Sequence, residues 1–373
     1  MSKTQPGNFF EDFFVGQELV HATPRTVTDG DVALYTALYG GRFAVQSSAP
    51  FAQALGFEGA PVDSMLVFHL VFGKTVPDIS LNAIANLGYA DGRFGVPVYP
   101  GDTLSTVSCV TGVKRNRDGT TGVVYVHSVG RNQRRETVVE YARWVMVRTR
   151  DASASAPEPV VPELPECVTP ESLHIPVQFT SDSFDVTLSG STHLWEDYRV
   201  GERIDHVDGI TIDESDHTLA ARLFQNPARV HFNQHVEREG RFGRRIVYGG
   251  HVISLSRALS FNGLANGIGI AAIHGGQHTN PTFAGDTIYA WSEILATDAL
   301  SGSTSVGALR VRTVALKDRS ASDFTYRDAA GVYDPAVVLD FDYTVLMPRR
   351  ESDLDARGLD ARRQTPGASV AGD

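Results

Sequence analysis

Cysteine is nearly missing from this chain: Cys109 and Cys167 are the only two in 373 residues, and they stand far apart. That excludes a disulfide-stapled scaffold and, with no Cys-x-x-Cys pair, a thiolate metal site. Long apolar runs are missing too. No stretch approaches the roughly 20 residues a membrane-spanning helix needs, and the N-terminal MSKTQPGNFF lacks the apolar core of a secretory signal. A cytoplasmic protein with no membrane partner is expected. Basic residues are in deficit, 33 against 44 acidic ones, for a net charge of −11, which disfavours nucleic acid as a partner. A local cluster of arginines can still bind an anion against that overall field.

What is present is an ordinary globular balance, 42% hydrophobic and 21% charged, in a chain long enough for two domains with a core each. The chain is also internally repeated. Glu11-Asp12-Phe13-Phe14-Val15-Gly16 returns as Glu196-Asp197-Tyr198-Arg199-Val200-Gly201, and Thr26-Val27-Thr28 with Asp31 returns as Thr211-Ile212-Asp213 with Asp216. Pro97-Val98-Tyr99-Pro100-Gly101-Asp102-Thr103 returns as Pro281-Thr282-Phe283-Ala284-Gly285-Asp286-Thr287. Three matches in one order at nearly one spacing predict two tandem copies of one fold. We place the first unit at 1–150, a Pro/Ala-rich linker at 151–166 (DASASAPEPVVPELPE), the second unit at 167–350 and a flexible polar tail at 351–373.

Each copy carries one apolar helix, Met65–Phe72 and Val252–Leu259, followed by strands. Leu309, Val311 and Thr313 alternate with Arg310 and Arg312, and Leu339, Phe341, Tyr343 and Val345 alternate with Asp340, Asp342 and Thr344. Val123–Val129 and Val138–Val147 are their first-copy equivalents. Such period-2 runs are strands with one face on a core. The fold class is α+β: a central helix wrapped by a long antiparallel sheet, made twice.

The stretch with the clearest chemical content is Asp216–His231, DHTLAARLFQNPARVH. It starts as an amphipathic helix and breaks at Asn226-Pro227, because proline lacks the N–H a helix interior needs. A histidine just past such a break sits at an element end, where side chains can face a cleft, and His231 is the leading candidate for proton transfer.

The Asp31–Gly41 segment, the Pro-Val-Tyr-Pro-Gly-Asp-Thr turn and their repeats resemble the MaoC-type (R)-specific enoyl-CoA hydratases. Within these, the strings Tyr35–Phe43, Phe68–Asp78, Asn82–Tyr89, Val247–Val252 and Arg257–Asn266 resemble the mesaconyl-CoA hydratases, also called β-methylmalyl-CoA dehydratases. The resemblance covers nearly all of 8–350 and implies a double hot dog fold and a hydro-lyase acting on a CoA thioester. It implies no further cofactor, since CoA belongs to the substrate, and no metal. A general (R)-enoyl-CoA hydratase and a non-catalytic acyl-CoA-binding protein are the alternatives. Two hot dogs in one chain already form the pair that single ones make by dimerising, which leaves a further homo-oligomer open.

The broad family carries Gly-Asp-x-Asn-Pro-x-His with aspartate and histidine as the catalytic pair. Laid without gaps from Asp31, that motif puts Gly41 and Gln46 at those two positions; laid from Asp216, it puts Asn226 and His231 there. The first unit is therefore expected to be a degenerate half that shapes the acyl pocket, and the second the reactive half. In this reading His231 activates water and Asn226 orients it through its oxygen or nitrogen. The Gly250 N–H, with Gly249 beside it, stabilises the thioester oxygen, and Tyr248 contacts substrate. Arg229 and Arg42 are the candidates for a substrate carboxylate, arginine being its best geometric match. His274 and His278 are candidates to line the cleft. Asn226 as a turn residue, Gly249-Gly250 as a close-packing site and His69 and His251 as core residues are the plain structural alternatives.

Overall fold

The computed structural model describes residues 3–350 apart from 154, 156, 177 and 178; the tail expected to be flexible lies outside the described residues. In the first unit, β1 (Glu18–Thr26) leads into α1 (Asp29–Tyr39) and α2 (Ser64–Thr75), and then β2 (Ala83–Phe94), β3 (Thr103–Arg115), β4 (Thr121–Arg131) and β5 (Thr137–Arg148). The second repeats this with β6 (Arg203–Thr211), α3 (Glu214–Leu223), α4 (Gly249–Leu259), β7 (Gly269–His278), β8 (Thr287–Ala299), β9 (Val306–Lys317) and β10 (Val337–Pro348).

The strand order β1-β3-β4-β5-β2-β7-β10-β9-β8-β6 is a palindrome in which β1 answers to β6 and β2 to β7. The two five-stranded antiparallel halves are joined by an antiparallel β2–β7 seam, Tyr89 opposite Gly276 and Arg93 opposite Ala272. This is the double hot dog arrangement, each half wrapping a helix. The duplication extends to buried polar chains. His21 Nε2 lies 2.8 Å from Ser108 Oγ, itself 2.7 Å from Ser128 Oγ; His206 Nε2 lies 2.8 Å from Ser292 Oγ, itself 2.7 Å from Thr313 Oγ1.

Helix α2 is apolar on nearly every side, and Met65 through Thr75 are all buried. That is the expected fate of a helix with no polar face, and each buried Leu, Val or Phe contributes about 1.5–3 kcal/mol. The Asp63 carboxylate caps its start by accepting the Met65 N–H at 2.8 Å. Gly73 lets α2 press against the chain just beyond α3, since a Cβ there would lie 1.8 Å from the Phe224 carbonyl oxygen. Asp102 and Asp286 of the Gly-Asp-Thr turns each accept the N–H three residues back, Tyr99 and Phe283, at 2.9 Å. Their work is turn geometry.

Among the described residues the linker forms no helix and a single bridge, Val160 to Val113. Beyond it the chain does something the sequence reading did not anticipate. Leu173, Ile175, Phe179 and Phe184 pack in a separate apolar cluster with Phe51 and Phe57 of the first unit and Ile268, Val306 and Leu346 of the second.

Candidate active site

A cleft of about 340 Å³ opens where the halves meet. Phe72, Val76, Tyr89, Arg143 and Val145 of the first unit form one wall; Asn226, His231, Tyr248, Gly249 and His278 of the second form the other. Its lining grades from buried residues (Phe72, Arg143, Val145) to the exposed Arg241 and Phe242. Both units thus contribute to the lining, and His231 stands on the second unit's side.

His231 sits on one short helical turn, Arg229–Phe232, directly after the break at Pro227. The Ile246 N–H donates to the Val230 carbonyl at 3.0 Å, and His231 Nδ1–H donates to the Ile246 carbonyl at 3.0 Å. These two bonds close the loop and fix the tautomer: with Nδ1 protonated, Nε2 keeps its lone pair. Burial pulls the imidazole down to about 4, the Ile246 carbonyl opposing and His217 adding to the shift. The ring is neutral at physiological pH.

Asn226 is buried, and its Oδ1 accepts the Ala228 N–H at 3.0 Å in a turn that carries the chain past the proline. The turn reading is thus correct for its oxygen. Asn226 lines the cleft with one Oδ1 lone pair committed to this turn and no turn contact to Nδ2.

Helix α4 begins beside His231, with Tyr248 at its N-cap and no side chain capping it. The Gly249 and Gly250 N–H groups, its first two, have no acceptor within the helix and stand at its positive end. Gly249 lines the cleft; Gly250 is buried one position deeper, where a Cβ would meet Tyr248 and His69 at 2.3 and 2.6 Å. The Tyr248 ring lines the cleft 5.5 Å from His231.

His278 ends β7 and lines the cleft, its Nε2 3.5 Å from the Tyr89 hydroxyl; burial, with His231 nearby, lowers it to about 4. His274 does not line it: its Nδ1 accepts the Val168 N–H at 2.9 Å, so Nε2–H donates to Thr344 Oγ1 at 2.8 Å. His69 and His251 are core residues, bonded to Ser254 and Tyr39.

The family model described as mesaconyl-CoA hydratase matches residues 2–332. The chain belongs to that family. It is 71% identical over 349 residues to the β-methylmalyl-CoA dehydratase of Chloroflexus aurantiacus, spanning 94% of this chain and 99% of the relative. To the mesaconyl-CoA hydratase of Cereibacter sphaeroides it is 55% identical over 347 residues, 93% of this chain and 100% of the relative. Among solved structures, a MaoC domain protein dehydratase from Chloroflexus aurantiacus superposes with a TM-score of 0.92 at 70% identity, covering 94% of this chain and 100% of that one.

This mesaconyl-CoA hydratase family member places its arginines differently from expectation. Arg229 is exposed, with Nη2 3.5 Å from the Pro6 carbonyl, and Arg42 is exposed and stacked 4.5 Å over Phe261. Neither lines the cleft. The arginines that do are Arg143 and Arg241. Arg143 was missed, although its signal lies in the sequence: Val139, Tyr141, Arg143, Val145 and Val147 alternate along β5, all buried, so an arginine occupies an inward position of a period-2 strand.

At the equivalent place in the first unit, Gln46 Nε2 donates to the Ile268 carbonyl at 2.7 Å. Only about 80 Å³ remains there, and His174 and Pro176 of the segment beyond the linker help to line it. The first half has no proton-transferring side chain at that position and a fraction of the room.

Proposed function

We propose that this chain catalyses the reversible hydration of mesaconyl-CoA to β-methylmalyl-CoA, with His231 as the proton-transfer group. The single observation that carries this reading is the fixed tautomer of His231. Its Nδ1–H is committed to Ile246, which leaves Nε2 as a proton acceptor, at the side of a helix N-terminus with unpaired N–H groups. Family membership and the two close relatives name the same reaction in its two directions.

In the hydration direction, a water held by Asn226 Nδ2 gives a proton to His231 Nε2 while its oxygen bonds to the β-carbon. The π electrons move toward the thioester oxygen, where the N–H groups at the start of α4 receive the developing charge. His231 then delivers the proton to the α-carbon and returns to its neutral state. Atoms balance with water alone. As the imidazolium forms, the Ile246 carbonyl holds its Nδ1–H more strongly, which offsets part of the desolvation penalty.

The test follows the conjugated thioester spectroscopically. His231→Ala is expected to lower kcat/KM for mesaconyl-CoA on the order of 10²- to 10⁴-fold with its thermal midpoint little changed. Undiminished hydration by that variant removes His231 from the mechanism, and faster turnover of crotonyl-CoA than of mesaconyl-CoA by the unmodified protein favours a general enoyl-CoA hydratase.

A further inference from the structure

The cleft holds a charged side chain that the hydration step leaves unused. Arg143 is 1% exposed and lies 4.3 Å over the Phe72 ring. Its Nη2 donates to Thr75 Oγ1 at 2.8 Å, with Ser80 Oγ at 3.5 Å. Its Nε and Nη1 have no partner, and among the described residues it forms no ion pair. One other lining residue has the same property: both carboxamide atoms of Asn86 are buried and unpartnered. No aspartate or glutamate lines the cleft.

An unpaired guanidinium among tyrosine and phenylalanine rings is a costly thing to bury. Leaving two of its nitrogens open makes sense if an anion completes the set when substrate binds. Size and depth say which anion. Arg143 is 1% exposed, whereas Arg241 and Phe242 of the same lining are exposed, so the small acyl group, and not the strongly hydrated phosphates of the CoA moiety, is the part of the substrate to be enclosed with it. Mesaconyl-CoA carries its second carboxylate on the carbon that accepts water, beside the position His231 serves.

Resting on the hydration reading above, we propose that Arg143, assisted by the Asn86 amide, is the receptor for the distal carboxylate of the substrate and selects dicarboxylic thioesters over uncharged ones. Nη1 donates to one carboxylate oxygen and the Asn86 amide to the other, while Thr75 and Ser80 hold the guanidinium by Nη2.

Binding tests this apart from turnover. Methylsuccinyl-CoA cannot be hydrated, and 2-methylbutyryl-CoA is its near-isostere with a methyl in place of the carboxylate. The unmodified protein is expected to bind the former more tightly, on the order of 100-fold, by calorimetry or competitive inhibition. Arg143→Met, which keeps volume and removes charge, abolishes that preference while 2-methylbutyryl-CoA binds as before. Arg143→Lys, a point charge without the planar guanidinium that Thr75 and Ser80 hold in place, retains an intermediate preference and serves alone if the methionine variant does not fold. No preference in the unmodified protein, or one that survives these substitutions, overturns the assignment. If the preference behaves as expected but mesaconyl-CoA is not hydrated, the hydration reading fails and the receptor stands.

Discussion

His231 combines two properties in tension. It is positioned as a base, yet burial makes it a weak one, near 4 against an ordinary 6.5. The consequence is measurable. In the free enzyme His231 is already deprotonated across neutral pH, so kcat/KM is expected to stay level from about pH 8 to 5.5 and to fall with unit slope only as pH approaches 4. A histidine in water gives an acid limb near 6.5, and finding one there shows that the cleft is wetter around this ring than its burial implies. His231 was legible in the sequence because a proline break and the repeat register both point to it. The arginines were not legible by the same logic. Closeness in sequence singled out Arg229, whereas the inward phase of β5 decides the matter and points to Arg143.

At the scale of elements, two glycines hold helices where the chemistry needs them. Gly249 opens α4 against the His278 ring, which a Cβ would approach to 2.4 Å. Gly249→Ala is expected to push that ring aside and lower kcat/KM on the order of 10- to 100-fold with little loss of stability; unchanged kinetics would separate His278 and the start of α4 from the reaction. Gly73→Ala forces α2 away from the Phe224 carbonyl and lowers stability by about 1–3 kcal/mol in urea unfolding. It also shifts the turn that places Asn226, so kcat falls with it. Helices and strands themselves were readable from apolar periodicity: the run at Met65–Phe72 lies within α2, and Val138–Val147 within β5. The segment that follows the linker and packs across both units was not. Its Leu173, Ile175, Phe179 and Phe184 are spaced irregularly between prolines and polar residues, and what they cover is set by tertiary contacts with Phe51 and Phe57.

At the scale of the whole molecule, the buried histidines govern acid stability together. His69 and His251 are lowered to about 3 and His206, His274 and His278 to about 4, in each case chiefly by burial. The unfolded chain takes up protons at these sites from about pH 6.5 downward, and the folded chain does not until pH 3–4. Between those limits the unfolded state binds more protons, so stability is full above about pH 6.5 and falls as the pH drops. Urea midpoints are expected to be clearly lower at pH 5 than at pH 7.5; equal midpoints would mean these rings are solvated.

The palindromic sheet also separates the fates of matching positions. A symmetric dimer of single units must accept every substitution twice, once at each cleft. Here the two are independent genetic sites on one polypeptide: the register that puts Arg143 opposite Val126 puts Tyr343 opposite Val311, and Phe72 of α2 answers to Arg257 of α4, which feels the Tyr343 hydroxyl. Cation and ring have traded places between the halves. Such a molecule is free to sacrifice one mouth as a buttress and to tailor the other to a single acid, a specialisation closed to any assembly whose parts must stay identical.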